Sequence, residues 1–242
     1  MKYLFGIVIL FSGHSFAQST CPIITDNILG VYSADPLNAY NKNIVANWNG
    51  EYQRIGPYKV KGSPYLFGEA YPGYINYKDG RTSIDKMVYF DVYNYKVGII
   101  EKNNRYEPID PIEDFSISLP QQYGGKELKF KNAKAFGTSV PKGFFNILED
   151  GKKLTLLKYF KVNLMIDQGN EMNKDARVFE QVYDYYIYNK TSNELQKLKL
   201  KEKDIAKVLD NKKFMDEVIH ARKIDLTYEG SVISAVSLYN NY

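Results

Sequence analysis

The chain of 242 residues is long enough to bury a core as one large or two small domains, and 44% hydrophobic with 25% charged residues excludes wholesale disorder and a polytopic membrane protein. Its 32 basic and 28 acidic residues leave a net charge of +4, too small an excess to imply a polyanion partner by itself, so nucleic acid is not expected. Twenty-two Tyr and 13 Phe against one Trp give 15% aromatic residues, a bias that suits pleated, half-buried strands.

Along the chain, Lys2, the apolar run 3–11 and the small residues of Ser15-Phe16-Ala17 predict a signal peptide over 1–17, cleaved after Ala17. The run is shorter than the roughly 20 apolar residues that a permanent span needs, and no later run approaches that length, so no transmembrane segment is expected. The reading is an exported protein, periplasmic or secreted to the cell surface. Cys21 is preceded by Gln18, Ser19 and Thr20, a poor match to a lipoprotein signal, and as the sole cysteine it allows no intrachain disulfide. It reads as an unpaired thiol in an N-terminal segment, 18–62, that is partly irregular. One helix is expected there, with Asp35 as N-cap, Pro36 at the first turn, and Leu37, Tyr40 and Ile44 on one face.

From 63 to 203, short apolar or alternating runs broken by turn residues predict an antiparallel β domain with local connections. Asp79-Gly80 and Asp150-Gly151 read as hairpin turns, because the pair readily takes positive φ. Residues 87–93 alternate most clearly. Val88, Phe90 and Val92 form the expected core face, while Tyr89, Asp91 and Tyr93 form the other. A partner strand is expected at 95–101, with further strands near 106–109, 115–119, 128–130, 135–136 and 162–166. A polar insert around 168–175 precedes a hairpin of 178–188, with Tyr183, Tyr185 and Ile187 on one face and Asp184, Tyr186 and Tyr188 on the other, returning through Leu195, Leu198 and Leu200. The period then changes. Ile205, Val208 and Leu209, next Phe214, Met215, Val218 and Ile219, and finally Val232, Ile233, Val236 and Tyr239 predict three short helices that cap the sheet over 204–242, as part of the same domain.

Chemistry is constrained by scarcity. His14 would leave with the signal peptide, and His220 alone cannot supply a Ser-His-Asp or Cys-His site or a zinc ligand set, so no metal and no cofactor are expected; His220 reads as a helix-surface residue. Gly124-Gly125-Lys126 lacks the spacing of a phosphate loop, and 167–175 lacks the alternating acidic ligands of a calcium loop. Carboxylates are plentiful: Asp79, Asp85, Asp91, Glu101, Asp110, Asp114 and Glu149 leave a two-carboxylate glycan hydrolase open. Lys197, Lys199 and Lys201, expected as a stripe on one strand face opposite Leu198 and Leu200 and followed by Lys203, Lys207, Lys212 and Lys213, are read as a solvated mixed-charge edge, with an anionic lipid or polyanion surface as the alternative.

Gly62-Ser63-Pro64-Tyr65-Leu66-Phe67, the Lys78-Asp79-Gly80 turn, the Glu149-Asp150-Gly151-Lys152 hairpin, Tyr185-Tyr186 with the following Lys-Leu-Lys run, and Leu238-Tyr239-Asn240 resemble a family of exported bacterial β-rich proteins with a C-terminal helical segment and no assigned activity. The resemblance runs from about Gly62 to the C-terminus and implies architecture and export, not chemistry. The fold class expected is α+β, a predominantly antiparallel meander, as a curved sheet or partial barrel, with short C-terminal helices packed on it. The function expected is a non-catalytic binding or cell-envelope interaction protein whose partner is a protein or glycan of the envelope. Tyr89, Asp91, Tyr93, Asp184, Tyr186 and Tyr188 are the candidate ligand-binding residues, since a tyrosine ring beside a carboxylate suits sugar rings and peptides.

Overall fold

A computed structural model describes residues 53–55, 58–102, 104–166 and 176–242. The expected signal peptide, Cys21, the Asp35 helix and the 168–175 insert therefore lie outside the described residues. Among the described residues twelve strands form one sheet: β1 (Gln53–Ile55), β2 (Tyr58–Lys61), β3 (Tyr71–Tyr77), β4 (Thr82–Asp91), β5 (Lys96–Glu101), β6 (Asn104–Tyr106), β7 (Ile112–Ser118), β8 (Glu127–Asn132), β9 (Phe144–Asp150), β10 (Leu154–Ile166), β11 (Ala176–Asn189) and β12 (Glu194–Leu198). Eleven run in the order β1-β2-β11-β10-β9-β8-β7-β3-β4-β5-β6, and β12 joins β11 beside that path. The sheet is open and mostly antiparallel. One pairing departs from the expected antiparallel meander: β2 lies parallel to β11, with Lys59, Val60 and Lys61 opposite Ala176, Arg177 and Val178. A parallel pair needs a long crossover, and here nearly the whole meander forms it.

The hairpins at Asp79-Gly80 and Asp150-Gly151 form as expected, joining β3 to β4 and β9 to β10. The strand expected at 135–136 does not. Ala133–Phe136 is a short 3-10 turn, started by the Asn132 side chain accepting from the Lys134 amide, a local bond that competes with strand pairing. The stretch expected at 106–109 is a strand only up to Tyr106, because Pro108 and Pro111 withhold the amides that a ladder needs.

Val88, Phe90 and Val92 are buried, as their alternation implied, and Phe90 meets Phe115, Phe130 and Phe144 at ring separations of 5.4, 5.7 and 5.9 Å. β4 and β9 are four strand steps apart, roughly 19 Å in a flat sheet at the usual spacing. Ring contact across that distance requires the sheet to curl. The contact of Tyr93 with Phe179 of β11, at 5.7 Å, requires the same.

Three helical pieces follow β12: α1 (Glu202–Leu209), α2 (Lys212–Phe214), which continues as a π-type turn over Met215–His220, and α3 (Glu229–Asn241). Ile205, Leu209, Phe214, Ile219, Val232 and Val236 bury their stripe against Leu154, Leu156, Ile187 and Leu198 of β10 to β12, a second core beyond the ring cluster. No helix among the described residues is long and apolar enough to cross a membrane.

Candidate functional site

The six residues singled out by sequence do not converge. Tyr89 and Asp91 are only 3% and 4% exposed, so the expectation of an open face on β4 is not met. The reason is a strap, residues 62–68, laid over the outer side of β4: Tyr65 bridges Asp91, Val92 N donates to Pro64 O at 3.0 Å, and Gln181 Nε2 donates to Tyr65 O at 2.8 Å. Under the strap Arg105 is itself only 8% exposed, its guanidinium 4.0 Å from the Tyr65 ring centre and 5.1 Å from that of Tyr89. Burial pushes the Tyr65 hydroxyl up to about 12. Asp91 closes the β4–β5 turn, accepting from Asn94 N at 2.9 Å and Asn94 Nδ2 at 2.8 Å. Burial raises its carboxyl to about 6, against the lowering effect of those two bonds. Tyr93 leaves the strand and packs into the ring core on Phe179.

On β11, Asp184, Tyr186 and Tyr188 do share a face, and it is half-buried. Tyr186 packs on Phe145 at 5.2 Å and Tyr188 on Phe136 at 5.3 Å, while the Tyr188 hydroxyl donates to Asn193. Asp184 is bridged by Lys161 at 2.6 Å and Lys197 at 2.9 Å. Burial would raise its carboxyl, and the two lysines outweigh this and hold it below the usual range.

The open chemistry lies around the outer edge of β11. β2 covers that edge up to Val178 and β12 covers it from Tyr185 on, leaving the stretch between without a strand partner among the described residues. Here a groove of about 730 Å³ opens, within the size range of small-ligand sites. On its floor Lys158 Nζ lies 4.0 Å from the Tyr183 ring centre and 2.7 Å from Glu229 Oε2, which also accepts from the Tyr185 hydroxyl at 2.6 Å. Burial would raise Glu229, and the bonds from Lys158 and Tyr185 instead hold its carboxyl below the usual range. The same contact makes the Tyr185 phenol harder to ionise, after burial itself. Tyr183 is 52% exposed and Tyr228, the N-cap of α3, is 66% exposed. The walls carry Lys197, Lys199 and Lys201.

Tyr183 shares the β11 face of Tyr185 and Ile187, as their alternation implied, and that face is buried further on at Ile187, in the core formed with α1 and α3. The cap stops at Glu229, so Tyr183 is left open. Tyr228, Lys158 and Glu229 were missed, because Lys158 lies 71 residues from Glu229, which has Tyr228 beside it, a separation that no local pattern bridges. The lysine stripe also differs from expectation. β12 ends at Leu198, so Lys199 and Lys201 lie beyond the strand, and Lys197 is neutralised by Asp184. His220 is on the surface as expected, between Glu202 at 3.0 Å and Asp216 at 3.2 Å, which raise its pKa. Among the described residues no group of three His, Cys, Asp or Glu is placed to hold a metal ion.

No family model matches the chain, and no solved structure matches it. One curated protein is similar in part: the putative protein TIC 214 N-terminal part of Marchantia polymorpha is 31% identical over 115 residues, which cover 45% of this chain and 10% of that protein. The chain spans about a tenth of that relative's length.

Proposed function

We propose that the protein is an exported, non-catalytic binding protein of the cell envelope, and that the groove on the β11 edge is its recognition surface. Export rests on the residue pattern over 1–17, and kinship with the exported β-rich proteins rests on the turn and strand motifs from Gly62 onward. In this reading the curled sheet is an incompletely closed barrel, with the bare stretch of β11 as its lip. The observation that carries the binding role is the pair of exposed rings, Tyr183 and Tyr228, flanking a floor already fixed by Lys158, Glu229 and Tyr185. A ring held by a cation beneath it loses little freedom when a ligand stacks on its other face.

A carboxylate hydrolase is less well supported. Such an enzyme needs one carboxyl kept protonated as general acid. The groove carboxyls, Asp184 and Glu229, are both held toward the ionised form, whereas Asp91, the carboxyl raised to about 6, is sealed beneath the strap. The test is a panel of envelope polysaccharides and glycans read for both binding and release of reducing ends. Binding without release, lost on combining Tyr183→Ala with Tyr228→Ala in a protein of unchanged circular dichroism, is the expected result. Release of sugar ends, or binding indifferent to both substitutions, would overturn the reading.

A further inference from the structure

Resting on that binding role, we propose that the groove takes an acidic polysaccharide, a chain of sugar rings carrying carboxylates of the uronate type. The charges in the groove divide into two kinds. Lys158 and Lys197 are committed to Glu229 and Asp184, at 2.7 and 2.9 Å. Lys199 and Lys201 form no ion pair among the described residues and are exposed. The Lys201 amide donates to Lys199 O at 2.8 Å, a three-residue turn that sends Leu200 into the helical core and leaves the lysines flanking it. Two cations without a counter-ion therefore stand beside two exposed tyrosine rings.

This pattern separates ring-bearing ligands. The rings offer stacking faces to pyranose C–H surfaces, and Lys199 and Lys201 offer charge-assisted bonds to carboxylates. Asp184 and Glu229, both ionised, accept from sugar hydroxyls. A DNA strand offers few such hydroxyl donors to the two carboxylates, whereas every uronate ring carries free hydroxyls beside its acid group. A neutral glycan would leave the two lysines unused. The groove meets β11 at Tyr183 and Asp184, which have no strand partner on that edge among the described residues, so an extended ligand has backbone groups to bind there.

The experiment is isothermal titration of the purified full chain, at low salt, with oligogalacturonate, with its methyl ester and with oligothymidylate. The acid is expected to bind about tenfold or more tightly than the ester, with an affinity that falls as salt rises. Combining Lys199→Gln with Lys201→Gln should bring the acid down to the level of the ester while leaving the ester unchanged. Tyr183→Ala should weaken both, and Tyr228→Ala, at an exposed helix cap, serves if Tyr183→Ala fails to fold. Equal binding of acid and ester through Tyr183 would overturn the acidic specificity while leaving the glycan-binding role standing. Tighter binding of oligothymidylate, or no binding of the uronate at all, would also overturn the inference; the wider binding role then falls only if the polysaccharide panel is empty too.

Discussion

Asp91 was singled out because it sits beside tyrosines on an alternating strand, and its neighbours give it a different task. Its two oxygens accept from the amide and the side chain of Asn94, which shapes the turn after β4. Desolvation dominates all the same, and lifts the carboxyl from 3.8 to about 6, with Glu107 adding to the rise and Arg105 opposing it. A folded-state value above the unfolded one favours folding below about 3.8, and that contribution is lost as pH rises through about 6. The stability of the native protein relative to Asp91→Asn should therefore fall across this window, by on the order of 2–3 kcal/mol at most. Urea unfolding of both proteins at several pH values measures the difference, from which the carboxylates they share cancel. A difference that does not vary with pH would refute the assignment. Alternation revealed which side chains of β4 share a face, and it could not reveal that residues 62–68 cover that face, because a strap is a tertiary fact. The exposed rings escaped notice for the converse reason: Tyr183 shares the buried parity of Ile187, and only the place where the helical cap ends leaves it open.

The two Asp-Gly hairpins look alike in sequence and use glycine for different reasons. Gly80 has a φ of 87°, the left-handed conformation that a tight turn asks of it. Gly151 has no positive φ, and a Cβ there would lie 2.0 Å from Asn240 Cγ. The glycine makes room for α3. Asn240 Oδ1 accepts from Lys153 N at 3.0 Å and Leu154 N at 2.8 Å, and Asn240 Nδ2 donates to Leu154 O at 3.0 Å, so one buried side chain pins the last helix to the β9–β10 connection. Asn240→Ala should cost about 2–3 kcal/mol, since it leaves buried backbone groups without partners. Denaturant unfolding that places the variant within about 0.5 kcal/mol of the native protein would show that water replaces the clamp without loss. Hydrophobic spacing sufficed to read the three helical pieces, because each has one apolar stripe. It did not reveal the π-type turn at Met215–His220, whose ladder differs from an α-helix without changing which residues face the core.

At the scale of the molecule, the β-rich class and the C-terminal helices were legible from aromatic content, turn spacing and the late change of period. The parallel contact of β2 with β11 was not, since it depends on residues more than a hundred positions apart meeting in space, as Val60 and Arg177 do, and as Tyr65 and Gln181 do across 116 positions. The same long-range logic decides how independent the helices are. α1 has only eight residues, too few to hold a helix alone in water. Its Ile205 and Leu209 are buried in a core whose other wall is Leu154, Leu156, Ile187 and Leu198, so each side covers what the other would expose. Removing residues 204–242 would strip that wall from β10, β11 and β12 together, along with the Glu229 partner of Lys158 and the Asn240 clamp. Uncovering that many fully buried aliphatic groups, each worth about 1.5–3 kcal/mol, exceeds the margin of a typical domain. The truncated chain should therefore be insoluble or lack a cooperative unfolding transition. If the fragment ending at Lys203 instead stays soluble and melts sharply, the helices form a separate module and the two cores are not one folding unit.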